Sequence, residues 1–222
     1  MLTPSGTEQE LSQDTSTLRQ ALEADLRQYP AGPPGGPFLV VLSGLPGTGK
    51  SHFARELVKR VPFLMVGSDR LRKALVSQPR YTREEHLRVF AACHCLVEEL
   101  LAEGYRVIFD ATNLTEGFRQ PLYDIAGRRG APLALVRFTA PLEVIRRRLD
   151  ERAAGLRSDS YSDADWLVYC RLCPGEEPIE RPHFVVDSSQ DIYPILEEVV
   201  RWFSAPSFPG GRQTRSKNQS GS

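Results

Sequence analysis

The stretch Phe38-Leu39-Val40-Val41-Leu42-Ser43, followed at once by Gly44-Leu45-Pro46-Gly47-Thr48-Gly49-Lys50-Ser51, decides the fold of this chain. A short apolar strand that ends in G-x-x-x-x-G-K-[ST] and opens a helix is a phosphate-binding loop. Each part has a physical reason. Gly44, Gly47 and Gly49 let the backbone take positive φ and come close to an anion. The amides of the loop, and the N-terminus of a helix expected over His52 to Arg60, then point at β- and γ-phosphates. Lys50 supplies a point charge to the same oxygens, and the Ser51 hydroxyl stands where Mg²⁺ is held. An ordinary glycine-rich strand-to-helix turn would leave Lys50 and Ser51 unexplained. The expected ligand is a nucleoside triphosphate, bound by residues 44–51.

Composition narrows the setting. A chain of 222 residues is long enough for one well-packed α/β domain with an appendage and short for two. Lys plus Arg and Asp plus Glu number 28 each, so no global basic field exists to hold a long nucleic acid, although a short local contact is compatible with neutrality. No apolar run reaches the 18 or more residues that a membrane-spanning helix needs. The opening MLTPSGTEQE is polar and acidic, unlike a secretory signal, so a cytoplasmic setting is expected. The cysteines are Cys93, Cys95, Cys170 and Cys173. Cys170-Arg-Leu-Cys173 has metal-ligand or redox spacing and Cys93-His94-Cys95 could be its partner half-site in a four-ligand zinc site, but Cys93 and Cys95 lie two apart on an expected helix and point to different faces. Reduced thiols are the expectation.

Outward from the loop, strands and helices alternate. Leu18, Leu22 and Leu26 recur at spacing four and predict an N-terminal helix, separated from the loop by the breaker AGPPGGP, so residues 1–36 read as a helix on a Gly/Pro tether. Strands are expected at 38–43, 63–66, 106–110, 133–138 and 184–187. A long helix starts at the capping box Thr82-Arg83-Glu84-Glu85 and runs to Glu103-Gly104, with Leu87, Phe90, Ala91, Leu96, Val97, Leu100 and Leu101 as its buried stripe. Further helices are expected over 116–129, 141–152 and 192–202. Residues of about 150–182 are rich in Arg, Asp and Pro and read as a helical lid insertion. Residues 205–222 are too polar and too rich in Gly, Pro and Ser to fold alone, and read as a disordered tail. Continuous apolar strands in a β-α alternation imply a five-stranded parallel sheet covered on both faces, a three-layer α/β sandwich spanning 37–204. Ligands then collect at the carboxyl ends of the strands.

Three features supply what phosphoryl transfer needs beyond the loop. Asp110 ends an apolar strand, as a Walker-B carboxylate does, and with Ser51 could hold Mg²⁺; Thr112, Asn113 and Thr115 are nearer candidates to cap the next helix. Asp69 ends the second strand and could take the proton from an attacking hydroxyl, or could cap the helix beginning near Arg70. Arg72 lies one helical turn beyond Asp69 and could bind an anionic group on the acceptor. The cluster Arg146, Arg147, Arg148 and Arg152, with Arg157 beyond, enters the lid region, where guanidinium groups could neutralise the transferring phosphoryl. Arg148 and Arg152 share a face and are the candidates; Arg146 and Arg147 are expected to face solvent.

Taken together, GLPGTGKS, V-G-S-D-R-L-R at 66–72, V-I-F-D-A-T-N-L at 107–114 and A-P-L-E-V-I-R-R-R-L at 140–149 resemble P-loop kinases of the polynucleotide-kinase/zeta-toxin type over residues 37–204. His52 departs from that pattern, at a position that is not a metal ligand. The resemblance implies that Asp69 is the general base on the acceptor hydroxyl, that Arg72 contacts the acceptor's phosphate, that Arg148 or Arg152 contacts the donor phosphates, and that Asp110 is the D-T-N aspartate. The sequence thus reads as an ATP-dependent, Mg²⁺-dependent kinase of a hydroxyl, with a 5′-hydroxyl nucleic-acid end as the favoured acceptor. A small metabolite, antibiotic or nucleotide-sugar hydroxyl is the alternative. A third reading is a nucleotide-dependent switch or scaffold, with the tethered N-terminal helix as its partner-binding element.

Overall fold

Alternation along the first strand sets the architecture. Leu39 and Val41 point to one side of the sheet and Phe38, Val40 and Leu42 to the other, and all five are buried. A strand apolar on both faces needs cover on both. The computed structural model describes residues 6–29, 36–156 and 162–204. Within them β1 (Phe38–Ser43), β2 (Leu64–Gly67), β3 (Arg106–Asp110), β4 (Leu133–Thr139) and β5 (Phe184–Asp187) form one sheet in the order β2-β3-β1-β4-β5, every neighbour parallel. The five-stranded parallel α/β sandwich read from the sequence is the fold observed. The 205–222 tail, tether residues 30–35 and Arg157 lie outside the described residues.

One face of the sheet is covered by α3 (Lys50–Val58) and α9 (Tyr193–Ser204), whose Phe53, Leu57, Leu196 and Val199 are fully buried against Val40, Leu42 and Val136. The other is covered by α5 (Arg83–Ala102) and α6 (Glu116–Arg129). α4 (Ser68–Leu75) follows β2 and packs on α5. Beyond β4 come α7 (Leu142–Ala153), α8 (Trp166–Leu172) and a single 3₁₀ turn, Cys173–Gly175.

The N-terminal segment differs from the tethered appendage expected of it. α1 (Gly6–Ala21) and α2 (Glu23–Gln28) lie against α4 and α5, and Leu18 and Leu22 are fully buried in the main core. Arg88 donates to both carboxylate oxygens of Asp14 at 2.6 and 2.7 Å, and Arg70 donates to Asp25 at 2.7 Å. A leucine spacing of four shows that a helix has an apolar stripe, not which surface receives it. Here the receiving surface is α4 and α5. Leu22→Ala is expected to lower the unfolding free energy by about 3 kcal/mol, read as a shifted urea midpoint at unchanged slope; a loss below about 0.5 kcal/mol would mark a surface-like helix.

α5 shows why its expected stripe shifts. Leu87 is 51% exposed and Ala91 is also exposed, whereas Val89, Ala92 and Cys93 are buried. Packing by α1, α4, α6 and β3 surrounds the helix on several sides, so its buried surface is not one stripe. Thr82 caps it as expected, its hydroxyl accepting from the Glu85 amide at 3.2 Å. The Glu85 carboxylate does not close the box on Thr82; it accepts from the amides of Arg80 and Tyr81 at 2.7 and 3.2 Å instead. All four cysteines are free, Cys93 buried in α5 and Cys170 and Cys173 exposed at α8 and the turn after it. No described helix is long and apolar enough to cross a membrane.

Candidate active site

The phosphate-binding loop joins β1 to α3 at the carboxyl edge of the sheet. Gly44, Gly47 and Gly49 have φ of 152°, 81° and 92°, the conformations the sequence demanded of them. Space is as restricted as angle. A Cβ on Gly44 would stand 2.8 Å from the Phe138 carbonyl oxygen, and one on Gly49 would stand 2.9 Å from Cβ of Ser188. Lys50, 9% exposed, folds back over the loop and donates to the carbonyls of Gly44 and Leu45 at 2.7 and 3.0 Å. Burial pulls its ammonium pKa down, against the attraction of Asp110 and Asp69. A cation held in a dry loop is therefore short of anionic partners, which a bound polyphosphate would supply.

Ser51 and Asp110 meet. The Ser51 hydroxyl donates to Asp110 Oδ2 at 2.6 Å, joining the first turn of α3 to the end of β3. Burial raises the Asp110 carboxyl, opposed by Lys50 and by the Ser51 hydrogen bond. Two hard oxygen donors beside a phosphate cradle fit Mg²⁺, which takes few protein ligands and completes its shell with phosphate and water. No cluster of three or more His, Cys, Asp or Glu side chains among the described residues offers a separate metal cage.

The strand-end loop that carries Asp110 is locked to the phosphate loop. The Gly44 amide donates to Thr112 O at 2.9 Å, Ser43 Oγ to Asn113 O at 3.0 Å, and Asn113 Nδ2 to Leu42 O at 2.8 Å. Asn113 itself takes a left-handed φ of 46° and is fully buried. The first amide of α6, at Glu116, is capped from a distance by the Glu177 carboxylate at 2.6 Å, and neither Thr112, Asn113 nor Thr115 caps it with a side chain.

Asp69 sits in the first turn of α4, one residue past the helix's first position; Gly67 occupies the capping position and no side chain caps it. The capping alternative for Asp69 is thus not realised. Its carboxylate takes no hydrogen bond from another described side chain, and its charge is felt by Lys50, Asp110 and His86. Arg72, only 3% exposed, is held by an ion pair with Glu85 and a 3.2 Å contact of Nη2 with His86 Nδ1. Its Nε is buried and has no partner. A guanidinium has five N–H groups, so an anion approaching Nε–H would satisfy a donor the protein leaves open. Burial and the Arg72 charge lower the pKa of His86, which favours its neutral ring, and since a guanidinium only donates, Nδ1 is the acceptor in that contact.

The arginines of α7 divide. Arg146 and Arg147 are 52% and 69% exposed and pair along the helix with Asp150 and Glu151. Arg148 turns inward: Nη1 donates to Gly47 O at 3.1 Å and Ser188 Oγ at 2.7 Å, and Nη2 donates to Ser188 O at 2.7 Å. Arg152 donates to Ala164 O at 3.2 Å and its charge reaches Lys50. Arg148 therefore braces the phosphate loop against the β5–α9 turn. Sequence reasoning missed Ser188, which follows a strand-end aspartate just as Ala111 follows Asp110; that shared position was the available signal. It also missed Glu85 as more than a cap, and His86.

The parallel sheet, the glycine loop and the Lys50, Ser51 and Asp110 arrangement define a P-loop kinase fold. The chain belongs to the AAA domain family, whose model matches residues 39–167. It is 30% identical over 172 residues to an L-seryl-tRNA(Sec) kinase of Methanococcus maripaludis, a match covering 73% of this chain and 64% of that protein, so the chain spans less than two thirds of the relative's length. Among solved structures it is similar in fold to the Mycobacterium tuberculosis APS kinase CysC in complex with AMPPNP and APS, at TM-score 0.59 and 17% identity, over 78% of this chain and 100% of that one. It is also similar to Chaetomium thermophilum Kti12 in complex with ADP-AlF₃, at TM-score 0.58 and 23% identity, over 73% and 97% of the two chains.

Proposed function

We propose that this chain transfers the γ-phosphoryl group of ATP to a hydroxyl on an acceptor that carries an anionic group beside it, a 5′-hydroxyl nucleic-acid end being the favoured case. The observation that carries the reading is Asp69. Its carboxylate is not used for capping, lies in electrostatic reach of Lys50 and Asp110, and shares α4 with the open donor of Arg72. In the step, the acceptor oxygen bonds to the γ-phosphorus as the bond to the β,γ-bridging oxygen breaks, and the acceptor proton goes to Asp69. Lys50 and the loop amides bind the departing diphosphate, and Arg148 or Arg152 offsets charge on the moving group. Ser51 and Asp110 would hold Mg²⁺, which neutralises phosphate charge when bound.

The relative's name, an L-seryl-tRNA(Sec) kinase, gives a seryl hydroxyl carried on tRNA and supports a hydroxyl acceptor attached to nucleic acid. Small metabolite, antibiotic and nucleotide-sugar hydroxyls are the competing acceptors. The switch reading rested on a tethered N-terminal helix, and α1 is built into the core. Incubation with γ-labelled ATP, Mg²⁺ and a panel of 5′-hydroxyl RNA and DNA, aminoacylated tRNA, nucleosides and sugars tests the reading. Label is expected on nucleic acid and is expected to vanish with EDTA. Label on small molecules alone would overturn the acceptor, and phosphate release with no labelled acceptor would overturn the kinase.

A further inference from the structure

Tyr81 lies in the connection between α4 and α5, outside every motif of the phosphate site. Among the described residues it is one of two non-glycine positions with positive φ, at 56°, a conformation bulky side chains avoid. Such an outlier persists only where its surroundings hold it, and here they do. The amides of Arg80 and Tyr81 both donate to Glu85 Oε2, while Glu85 Oε1 pairs with Arg72. The Arg72 guanidinium carbon stands 4.9 Å from the centre of the Tyr81 ring. The phenol donates to Asp163 Oδ2 at 3.0 Å, and Lys73 donates to the other oxygen of that carboxylate at 2.8 Å. Burial and the Asp163 bond push the phenol up to about 12. Tyr81 as a residue is nonetheless 48% exposed.

The backbone strain, the shared carboxylate and the ring thus converge on Arg72. We propose that Tyr81 is a positioning residue for the acceptor: its ring, set by Glu85, holds the Arg72 guanidinium with Nε–H turned toward the acceptor's anionic group. This rests on the kinase reading above. A cation against a ring face is stabilised without consuming an N–H donor, so Tyr81 fixes Arg72 and leaves its open donor for the ligand. The alternative is a plain fastening of the loop through the hydroxyl and Asp163.

Tyr81→Gly and Tyr81→Phe separate the two in the full-length protein. Glycine accepts the left-handed backbone, so the ring is lost without added backbone strain; phenylalanine keeps the ring and loses the hydroxyl. With a 5′-hydroxyl RNA acceptor, Tyr81→Gly is expected to raise acceptor KM by about 5- to 30-fold with ATP KM and kcat within about twofold, and Tyr81→Phe is expected to match the wild type. A second readout needs no transfer. His86 is faced by Arg72, Asp69 and Glu85, and its imidazole pKa, followed by NMR, should rise in Tyr81→Gly as the Arg72 charge drifts away, and stay in Tyr81→Phe. An unchanged acceptor KM in Tyr81→Gly overturns the proposal, as does equal impairment of both variants. Should the wild type label no acceptor, the kinase reading falls; the His86 titration then decides, an unmoved pKa in Tyr81→Gly overturning the positioning role and a raised one supporting it.

Discussion

Asp69→Asn is expected to lower the rate of phosphoryl transfer by about 10²–10⁴-fold, the span of a positioned general base, while nucleotide binding is retained. The substitution keeps shape and size and removes the capacity to take a proton together with one negative charge. Everything that grips the donor lies elsewhere: the glycine loop and Lys50 follow β1, and Ser51 and Asp110 link α3 to β3. Asp69 follows β2, the edge strand, across β3 from the loop. Loss of one negative charge near Lys50 should tighten nucleotide binding slightly or leave it unchanged, since Asp69 offers the ammonium an attraction that phosphate replaces. Single-turnover transfer from γ-labelled ATP, beside titration with a fluorescent ATP analogue, measures both quantities. A transfer rate within tenfold of the wild type would remove Asp69 from the chemistry. Parallel loss of transfer and nucleotide affinity would assign it to donor binding.

What could be read from the sequence was what depends on neighbours in the chain. β1 and the glycine loop declare themselves through six apolar or small residues and a fixed pattern, and the strand-end position of Asp110 follows from the apolar run before it. The encounter of Ser51 with Asp110 was readable because parallel topology brings the ends of β1 and β3 side by side. What was not readable depends on which surfaces meet. The leucines of α1 and α2 announced a buried stripe but not its receiver. Glu85 stands where a capping box wants it, and only the folded chain shows it serving Arg72 and two loop amides instead. Arg148 was expected among phosphate-facing arginines; its bonds to Gly47 and Ser188 tie it to the loop that carries the phosphates. Nothing local distinguishes it from Arg147, one residue away and solvent-facing, except the helical period.

Arg119 is the extreme case, and its replacement carries the largest expected effect on stability. In sequence it lies in Gly117-Phe118-Arg119-Gln120, where nothing local marks it out. In the fold its side chain is fully buried. Nη1 donates to the carbonyls of Asn113 and Leu114 at 3.0 and 2.9 Å, Nη2 donates to Pro178 O at 3.0 Å, and Nε donates to Glu116 at 3.0 Å. One guanidinium therefore joins the loop after Asp110 to the segment before β5, using a planar fork that no other side chain provides. Arg119→Met fills a similar volume and removes three charge-assisted hydrogen bonds to carbonyls, each worth about 1.5–3 kcal/mol; Pro178 O loses its donor, while Asn113 O keeps the Ser43 hydroxyl and Leu114 O keeps the Glu177 amide. The expected loss is about 4 kcal/mol, the sum of the lost charge-assisted bonds, since the Glu116 carboxylate left behind is half exposed. Arg119→Lys retains a charge but cannot span the three carbonyls, and should recover less than half of that loss. Urea unfolding of the three proteins gives the numbers directly. Because Asn113 and Leu114 lie in the same loop as Asp110, the Met variant should also require more Mg²⁺ for half-maximal transfer at temperatures where it remains folded. A loss below about 1 kcal/mol, the level of an exposed ion pair, would show that the bonds to β1 and to Glu177 hold the loop without it and that Arg119 only fills space.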